Sequence, residues 1–195
     1  MKGASVMIYR RMLLPLFVCA LMTTAMWRQS DSETAVGGDF TLTDHHGGKF
    51  SLADQRGKVV LLFFGYTSCT EACPVILSRI NSVFKQLGPG REKALAVFIS
   101  VDPQRDTTQV LREYVQYFSA QTVALTGKKE ELDAVVKQYG AKYEIEKSNS
   151  ALGYHVSHTT DIYLIDQRGA LRSRFKHTDR AELMVAGVKR LWQRT

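Results

Sequence analysis

The sequence lacks any run of lysine or arginine interleaved with aromatic residues, although its formal net charge is +7. Lys2, Arg10, Arg11 and Arg28 supply four of those seven charges, in a stretch without an acidic residue. The rest of the chain has no concentrated basic segment, so no nucleic-acid partner is predicted. Internal repeats and low-complexity tracts are also missing, and 45% hydrophobic with 23% charged residues is typical of a globular domain with one core.

Residues 1–28 have the pattern of a signal sequence or membrane anchor. Residues 12–27 form a 16-residue stretch without a charge. A cleaved signal has an apolar core of about 7–15 residues and a spanning helix needs about 17–25, so this length lies between the two. Trp27 favours a retained anchor, because tryptophan prefers the membrane interface. The basic residues before the stretch then place the following domain outside the cytoplasm, on the periplasmic face of the inner membrane or in an equivalent compartment.

Residues 29–37 are polar and are predicted to link the anchor to a folded unit of residues 38–195. Two short alternating segments around the turn-rich residues 44–48 predict an N-terminal β-hairpin. The continuous apolar run 58–65 predicts a central strand that is buried on both faces. Hydrophobic spacing then predicts helices over 74–88, 107–118, 128–139 and 180–194, and strands over 94–101, 123–125, 160–165 and 170–175.

This order predicts an α/β fold with a central mixed β-sheet flanked by helices. A cysteine pair directly after the first central strand is typical of the thioredoxin-like class, an assignment made by fold analogy.

Cys69 and Cys73 are the two cysteines of the predicted domain, because Cys19 lies in the apolar N-terminal stretch, where a cysteine acts as a small hydrophobe. They are four residues apart at the entry to the helix predicted over 74–88. On a helical first turn their sulfurs share one face, and the helix N-terminus favours thiolate, so both are expected to deprotonate easily. Such a pair can form a disulfide or bind a soft metal ion such as Cu(I), with Zn(II) as a competitor.

His158 lies at the entry to the strand predicted over 160–165, which the predicted fold brings beside the two cysteines. Its imidazole would add the nitrogen that copper accepts. Asp102 follows a central strand, at the sheet edge where α/β sites gather. Asp106 is expected to cap the helix at Thr107. The other histidines are expected outside the site: His45 and His46 in a solvated turn, His155 on the opposite strand face, and His177 on the surface.

Three segments resemble the SCO/SenC family of copper chaperones for cytochrome c oxidase assembly. The first is residues 64–74, which begin with FGYTSC and end with CP. The second is SVDPQRDT at 100–107, and the third is VSHT at 156–159, which leads into YLID at 163–166. The resemblance implies a thioredoxin fold, a membrane anchor, and copper ligands at Cys69, Cys73 and His158. Thr70 and Glu71 stand where the family often has proline and aspartate, a departure that removes no ligand.

The leading hypothesis is a metallochaperone that passes copper, as Cu(I) or Cu(II), to a receiving subunit of a membrane oxidase. The alternative is a thiol-disulfide reductase that uses a redox-active Cys69–Cys73 disulfide to keep the copper-ligand cysteines of the oxidase reduced. A general disulfide exchanger is disfavoured, because none of the four prolines precedes a late strand, where such enzymes carry a cis-proline. A peroxidase is disfavoured as well, because it would need one activated cysteine with an arginine and a threonine close by, whereas Thr70 lies between the two cysteines.

Overall fold

The computed structural model describes residues 36–118, 121–148 and 153–193. The predicted anchor, residues 1–28, and most of the predicted linker lie outside the described residues. Within those ranges no helix combines the length and the hydrophobicity that a membrane crossing requires.

The described residues form nine β-strands and four α-helices. In chain order these are β1 (Thr41–Asp44), β2 (Lys49–Ser51), β3 (Val59–Gly65), α1 (Ala72–Leu87), β4 (Ala94–Ser100), α2 (Thr108–Val115), β5 (Thr122–Thr126), α3 (Lys129–Gln138), β6 (Tyr143–Lys147), β7 (Tyr154–His158), β8 (Ile162–Ile165), β9 (Leu171–Phe175) and α4 (Ala181–Trp192).

Seven strands form one mixed sheet in the order β2-β1-β5-β4-β3-β8-β9. The central strands β3, β4 and β5 are parallel, and β8 runs antiparallel to β3. β1 and β2 form the predicted N-terminal hairpin, whose turn is closed by the Asp44 carboxylate: Oδ1 accepts from the His46 and Gly48 amides at 2.8 and 2.9 Å. The α/β fold with a central mixed sheet is therefore confirmed.

Helices cover both faces of the sheet. Every residue of β3 is buried, and successive side chains enter two separate cores. Phe63 points towards α1, α2 and α4 and stacks on Phe98 with ring centroids 4.9 Å apart. Phe64 points into the core on the side of α3, where its ring meets two rings edge-on: Tyr139, directly after α3, and Tyr163 of β8. The continuous apolar run in the sequence thus corresponds to a strand buried on both faces.

Three loops meet at one edge of the sheet. β3 and β4 are parallel, so both end there, and the Val101 amide donates to the Gly65 carbonyl at 2.8 Å. β8 is antiparallel to β3 and begins at the same edge, with Ile162 opposite Phe63. Crevices outside the carboxyl ends of parallel strands are the usual location of sites in α/β folds.

A second, two-stranded sheet of β6 and β7 was not predicted from the sequence. Its antiparallel register places Tyr143 opposite His158 and Ile145 opposite Val156. No residue of β6 is buried and only Val156 of β7 is, so main-chain pairing defines this hairpin more than burial does. The strand expected over 160–165 begins only at Ile162. The other predicted helices and strands are present, with ends that differ by up to three residues.

Candidate metal centre

Cys69 and Cys73 lie on either side of the start of α1. Cys69 is partly buried in the turn after β3, where its amide donates to the Tyr66 carbonyl at 3.2 Å. The sequence predicted that both cysteines share the first turn of the helix. α1 begins only at Ala72, so Cys69 precedes the helix. Cys73 is fully buried in that turn, and its amide donates to Cys69 Sγ at 3.4 Å. A helix N–H group therefore points at the Cys69 sulfur.

His158 reaches the cysteines from the last position of β7, not from the entry to β8 as predicted. Its Nε2 lies 3.6 Å from Cys73 Sγ, and its Nδ1 lies 3.0 Å from the Thr159 carbonyl oxygen. A carbonyl oxygen only accepts, so Nδ1 carries the proton and the Nε2 lone pair faces the sulfurs. The ring of Tyr66 meets the imidazole edge-on, with centroids 5.7 Å apart.

The structure brings all three predicted ligand residues together, with their ligand atoms within 4.8 Å of one another. Two sulfurs and one imidazole nitrogen form a donor set that suits copper, since thiolate selects Cu(I) and imidazole is accepted by both Cu(I) and Cu(II). The same set also suits Zn(II). The residues present therefore fit a soft or borderline metal ion.

The two thiols differ sharply in acidity. The pKa of Cys69 falls to about 3, chiefly because the Cys73 thiol donates a hydrogen bond to its sulfur; bonds from the amides of Cys73 and Glu71 also lower it, and partial burial, which raises it, is outweighed. The pKa of Cys73 is raised, because Cys73 is the donor in that bond, is buried and faces the Cys69 charge. The prediction that both sulfurs deprotonate easily is therefore wrong: the metal-free pair holds one thiolate and one thiol.

Gly65 is a site residue that the sequence analysis missed. A Cβ atom on this glycine would lie 2.5 Å from Cys73 Sγ and 3.1 Å from Phe98 Cε2. The last residue of β3 must therefore lack a side chain, because the Cys73 sulfur occupies that volume. A glycine at the end of a buried strand, directly before a cysteine pair, is the signal that indicates such a close approach.

Asp106 was expected to cap α2. Instead it bonds to the turn that precedes Cys69. Its buried carboxylate accepts three hydrogen bonds. Oδ1 accepts from the Thr67 hydroxyl at 2.6 Å, and Oδ2 accepts from the Thr67 amide at 3.0 Å and from the Ser100 hydroxyl at 2.6 Å. The cap of α2 is Thr107 itself, whose hydroxyl accepts from the Val110 amide at 3.3 Å. The turn before Cys69 is thus fixed from the loop that follows β4.

The other histidines lie outside the cluster. His45 is buried and its pKa is lowered by that burial; the Ala124 amide donates to its Nδ1 at 3.2 Å. The expectation of a solvated turn is therefore wrong for His45, whereas His46 is exposed. The remaining two have their own partners: His155 lies 3.0 Å from Glu146 Oε2, and His177 lies 2.9 Å from Thr160 Oγ1.

Comparison with known proteins identifies relatives over most of the chain. Residues 28–193 match the family model described as SCO1/SenC. An SCO2-like protein of Rickettsia prowazekii is 33% identical over 146 residues, which cover 74% of this chain and 71% of the relative. The mitochondrial SCO2 homolog of Bos taurus is 37% identical over 161 residues, covering 81% of this chain and 60% of that longer protein.

Solved structures share the fold. Bradyrhizobium japonicum ScoI with copper bound matches with a TM-score of 0.74 and 35% identity, over 80% of this chain and 99% of that one. Yeast Sco1 with copper bound matches with a TM-score of 0.73 and 26% identity, over 82% of this chain and 89% of that one. These neighbours confirm the thioredoxin-like fold. Together with the match over residues 28–193, they show that the chain belongs to the SCO1/SenC family.

Proposed function

We propose that Cys69, Cys73 and His158 bind copper and that the protein is a metallochaperone. In this proposal it delivers the ion to a copper-receiving subunit of a membrane oxidase during cytochrome c oxidase assembly. The observation that carries the proposal is the convergence of two sulfurs and one imidazole nitrogen within 4.8 Å. The copper-bound state of the B. japonicum and yeast relatives supports the choice of metal.

Each ligand residue has a distinct part in taking up copper. Cys69 is partly exposed and already a thiolate, so it is the first sulfur to meet an incoming ion. Cys73 is buried and protonated, and it releases its proton when the metal binds. His158 then offers the Nε2 lone pair, which Cu(II) requires more than Cu(I) does. A site that is half exposed and half buried can both hold the ion and pass it to a partner.

The second candidate function is reduction of a disulfide formed by copper-ligand cysteines of the oxidase. The observation behind it is a partly exposed Cys69 thiolate beside the protonated Cys73 thiol, since disulfide exchange begins with attack by a thiolate. Cys69 would attack one sulfur of the substrate disulfide and release the other as a thiolate. Cys73, after losing its proton, would attack Cys69 and release the second substrate thiolate. The substrate gains two electrons and a Cys69–Cys73 disulfide remains.

The location of the domain is part of the same proposal. Residues 1–28 would anchor the protein in the membrane and residues 29–37 would link the anchor to the domain of residues 38–195, outside the cytoplasm. The support comes from the sequence: a charge-free stretch behind Arg10-Arg11, followed by polar residues.

The His158→Ala variant separates the two functions. A chaperone should lose or change its Cu(II) thiolate charge-transfer spectrum and retain Cu(I) binding on the two sulfurs. His155→Ala is the matched control, because that exposed histidine lies three residues away on the opposite strand face. An unchanged Cu(II) spectrum in His158→Ala, with several-fold slower disulfide exchange, would favour the reductase instead.

A further inference from the structure

The hairpin of β6 and β7 needs an attachment other than the main sheet. Within the described part of the chain, these two strands form their own sheet and pair with none of the seven central strands. His158 is the last residue of β7, whereas both cysteines belong to the segment after β3. Residues 159–161 connect His158 to β8 of the main sheet, and side-chain contacts of β7 add to that main-chain link in fixing the distance between the imidazole and the sulfurs.

One contact joins β7 directly to the segment after β3: the Val156 amide donates to the Tyr66 hydroxyl at 3.4 Å. The others are made by Tyr154, the first residue of β7. Its hydroxyl donates to Asp102 Oδ1 at 2.8 Å, and Asp102 is only 1% exposed. Arg105 Nη1 donates to the Tyr154 carbonyl at 3.1 Å, and the Arg105 guanidinium carbon lies 3.8 Å from the centroid of the Tyr154 ring. Arg105 Nε also bonds to the Asp102 carboxylate. Tyr154 is thus held by its hydroxyl, its carbonyl and its ring face.

The same loop also holds the cysteine side of the site. Asp102 and Arg105 belong to residues 101–107, which we call the β4–α2 loop, and so does Asp106. Asp106 bonds to the amide and the hydroxyl of Thr67, two residues before Cys69. One loop of seven residues is therefore bonded to both halves of the candidate metal centre.

We infer that Asp102, Arg105 and Tyr154 are positioning residues that hold His158 against the cysteine pair through the β4–α2 loop. The inference rests on the proposed copper site and deepens it. Because Cu(II) requires the imidazole and Cu(I) is held by the two sulfurs, this attachment controls how well the site accepts Cu(II). Residues that orient a metal ligand without touching the metal commonly change affinity by about 10–100-fold when they are replaced.

Tyr154→Phe is the sharpest test, because it removes the hydroxyl bonded to Asp102 and keeps the ring beneath Arg105. We expect Cu(II) binding about tenfold weaker, with an altered charge-transfer spectrum, and Cu(I) affinity within about twofold of wild type. Tyr117→Phe is the matched control, since that tyrosine is 79% exposed and lies beyond the end of α2. Urea unfolding checks that each variant is folded, and Arg105→Lys, which loses the planar stack, gives a second variant with the same expected loss.

A double-mutant cycle distinguishes positioning from general destabilisation. Tyr154→Phe should have no further effect on copper binding in the His158→Ala background, because the imidazole that it positions is gone. An equal loss in both backgrounds, or a wild-type Cu(II) spectrum in Tyr154→Phe, would overturn the inference.

A metal-free measurement keeps this inference separate from the proposed function. In the reduced protein without copper, Tyr154→Phe should shift the imidazole NMR signals of His158 and leave those of His177 unchanged. Failure of wild-type protein to bind copper through His158 would refute the proposed function alone. Unshifted His158 signals would refute the positioning role alone.

Discussion

Replacement of Gly65 by alanine tests whether the volume at the end of β3 is reserved for the Cys73 sulfur. The new Cβ would lie 2.5 Å from Cys73 Sγ and 3.1 Å from Phe98 Cε2. Ordinary contacts are about 3.5–4.0 Å, so the sulfur must move by about 1 Å. Metal sites tolerate deviations of only about 0.2 Å in ligand distance. We therefore expect Cu(I) affinity to fall by at least about tenfold.

The cost to stability should be moderate, because overpacking a core with one methyl group costs about 1–3 kcal/mol. Gly187→Ala is the matched control. Its Cβ would meet Leu164 Cδ2 and Phe175 Cζ, each at 3.1 Å, in the core beneath α4. This control crowds the core without touching a ligand residue and should bind Cu(I) as wild type does.

The assay combines a competition titration of Cu(I) against a chromophoric chelator with urea unfolding of the metal-free protein. The two losses should separate: Gly65→Ala loses affinity and some stability, and Gly187→Ala loses no affinity. Wild-type Cu(I) affinity in a folded Gly65→Ala variant would refute the claim that this glycine makes room for a copper ligand.

Three further predictions concern the thiols, the cysteine turn and the anchor. Cys69, with a pKa of about 3, should be alkylated by iodoacetamide at a nearly constant rate from about pH 5 to about pH 8, while Cys73 stays unmodified; a rate that rises tenfold per pH unit would contradict this acidity. Asp106→Ala should lower the free energy of unfolding by about 2–4 kcal/mol, because it leaves the Thr67 amide and hydroxyl without an acceptor, and an unchanged urea midpoint would disprove that role. The full-length protein should stay with membranes after a high-salt wash, and a soluble form beginning near Met26 would show a cleaved signal instead.

The central part of the fold could be predicted because burial there leaves a regular pattern. Residues 58–65 are continuously apolar since β3 is covered on both faces, and α1 shows helical spacing since one side packs on the sheet. The β6–β7 hairpin has no such pattern. Most residues of its strands are exposed or only partly buried, and Ile145 is exposed, so hydrophobicity does not mark these strands. The alternation of Tyr143 with Ile145, and of Tyr154 with Val156, was the weak signal available.

The candidate site was predictable in composition and not in detail. Cys69, Cys73 and His158 are the residue types that bind copper, and the family resemblance identified all three. The acidity of the thiols could not be predicted, because it depends on which sulfur is buried and on where the helix begins. The role of Asp106 was missed for a related reason: its partner Thr67 is 39 residues away in the sequence and adjacent only in the folded protein.

X-ray absorption spectroscopy of the copper-loaded protein can show whether Cys69, Cys73 and His158 bind one ion, because it counts the sulfur and nitrogen neighbours of the copper. For wild type loaded with Cu(II), we predict two sulfur ligands and an imidazole nitrogen at the copper. The imidazole scattering should disappear in His158→Ala and persist in His155→Ala. A wild-type spectrum without imidazole, or one that is identical in His158→Ala, would contradict the claim that Cys69, Cys73 and His158 form a single copper site.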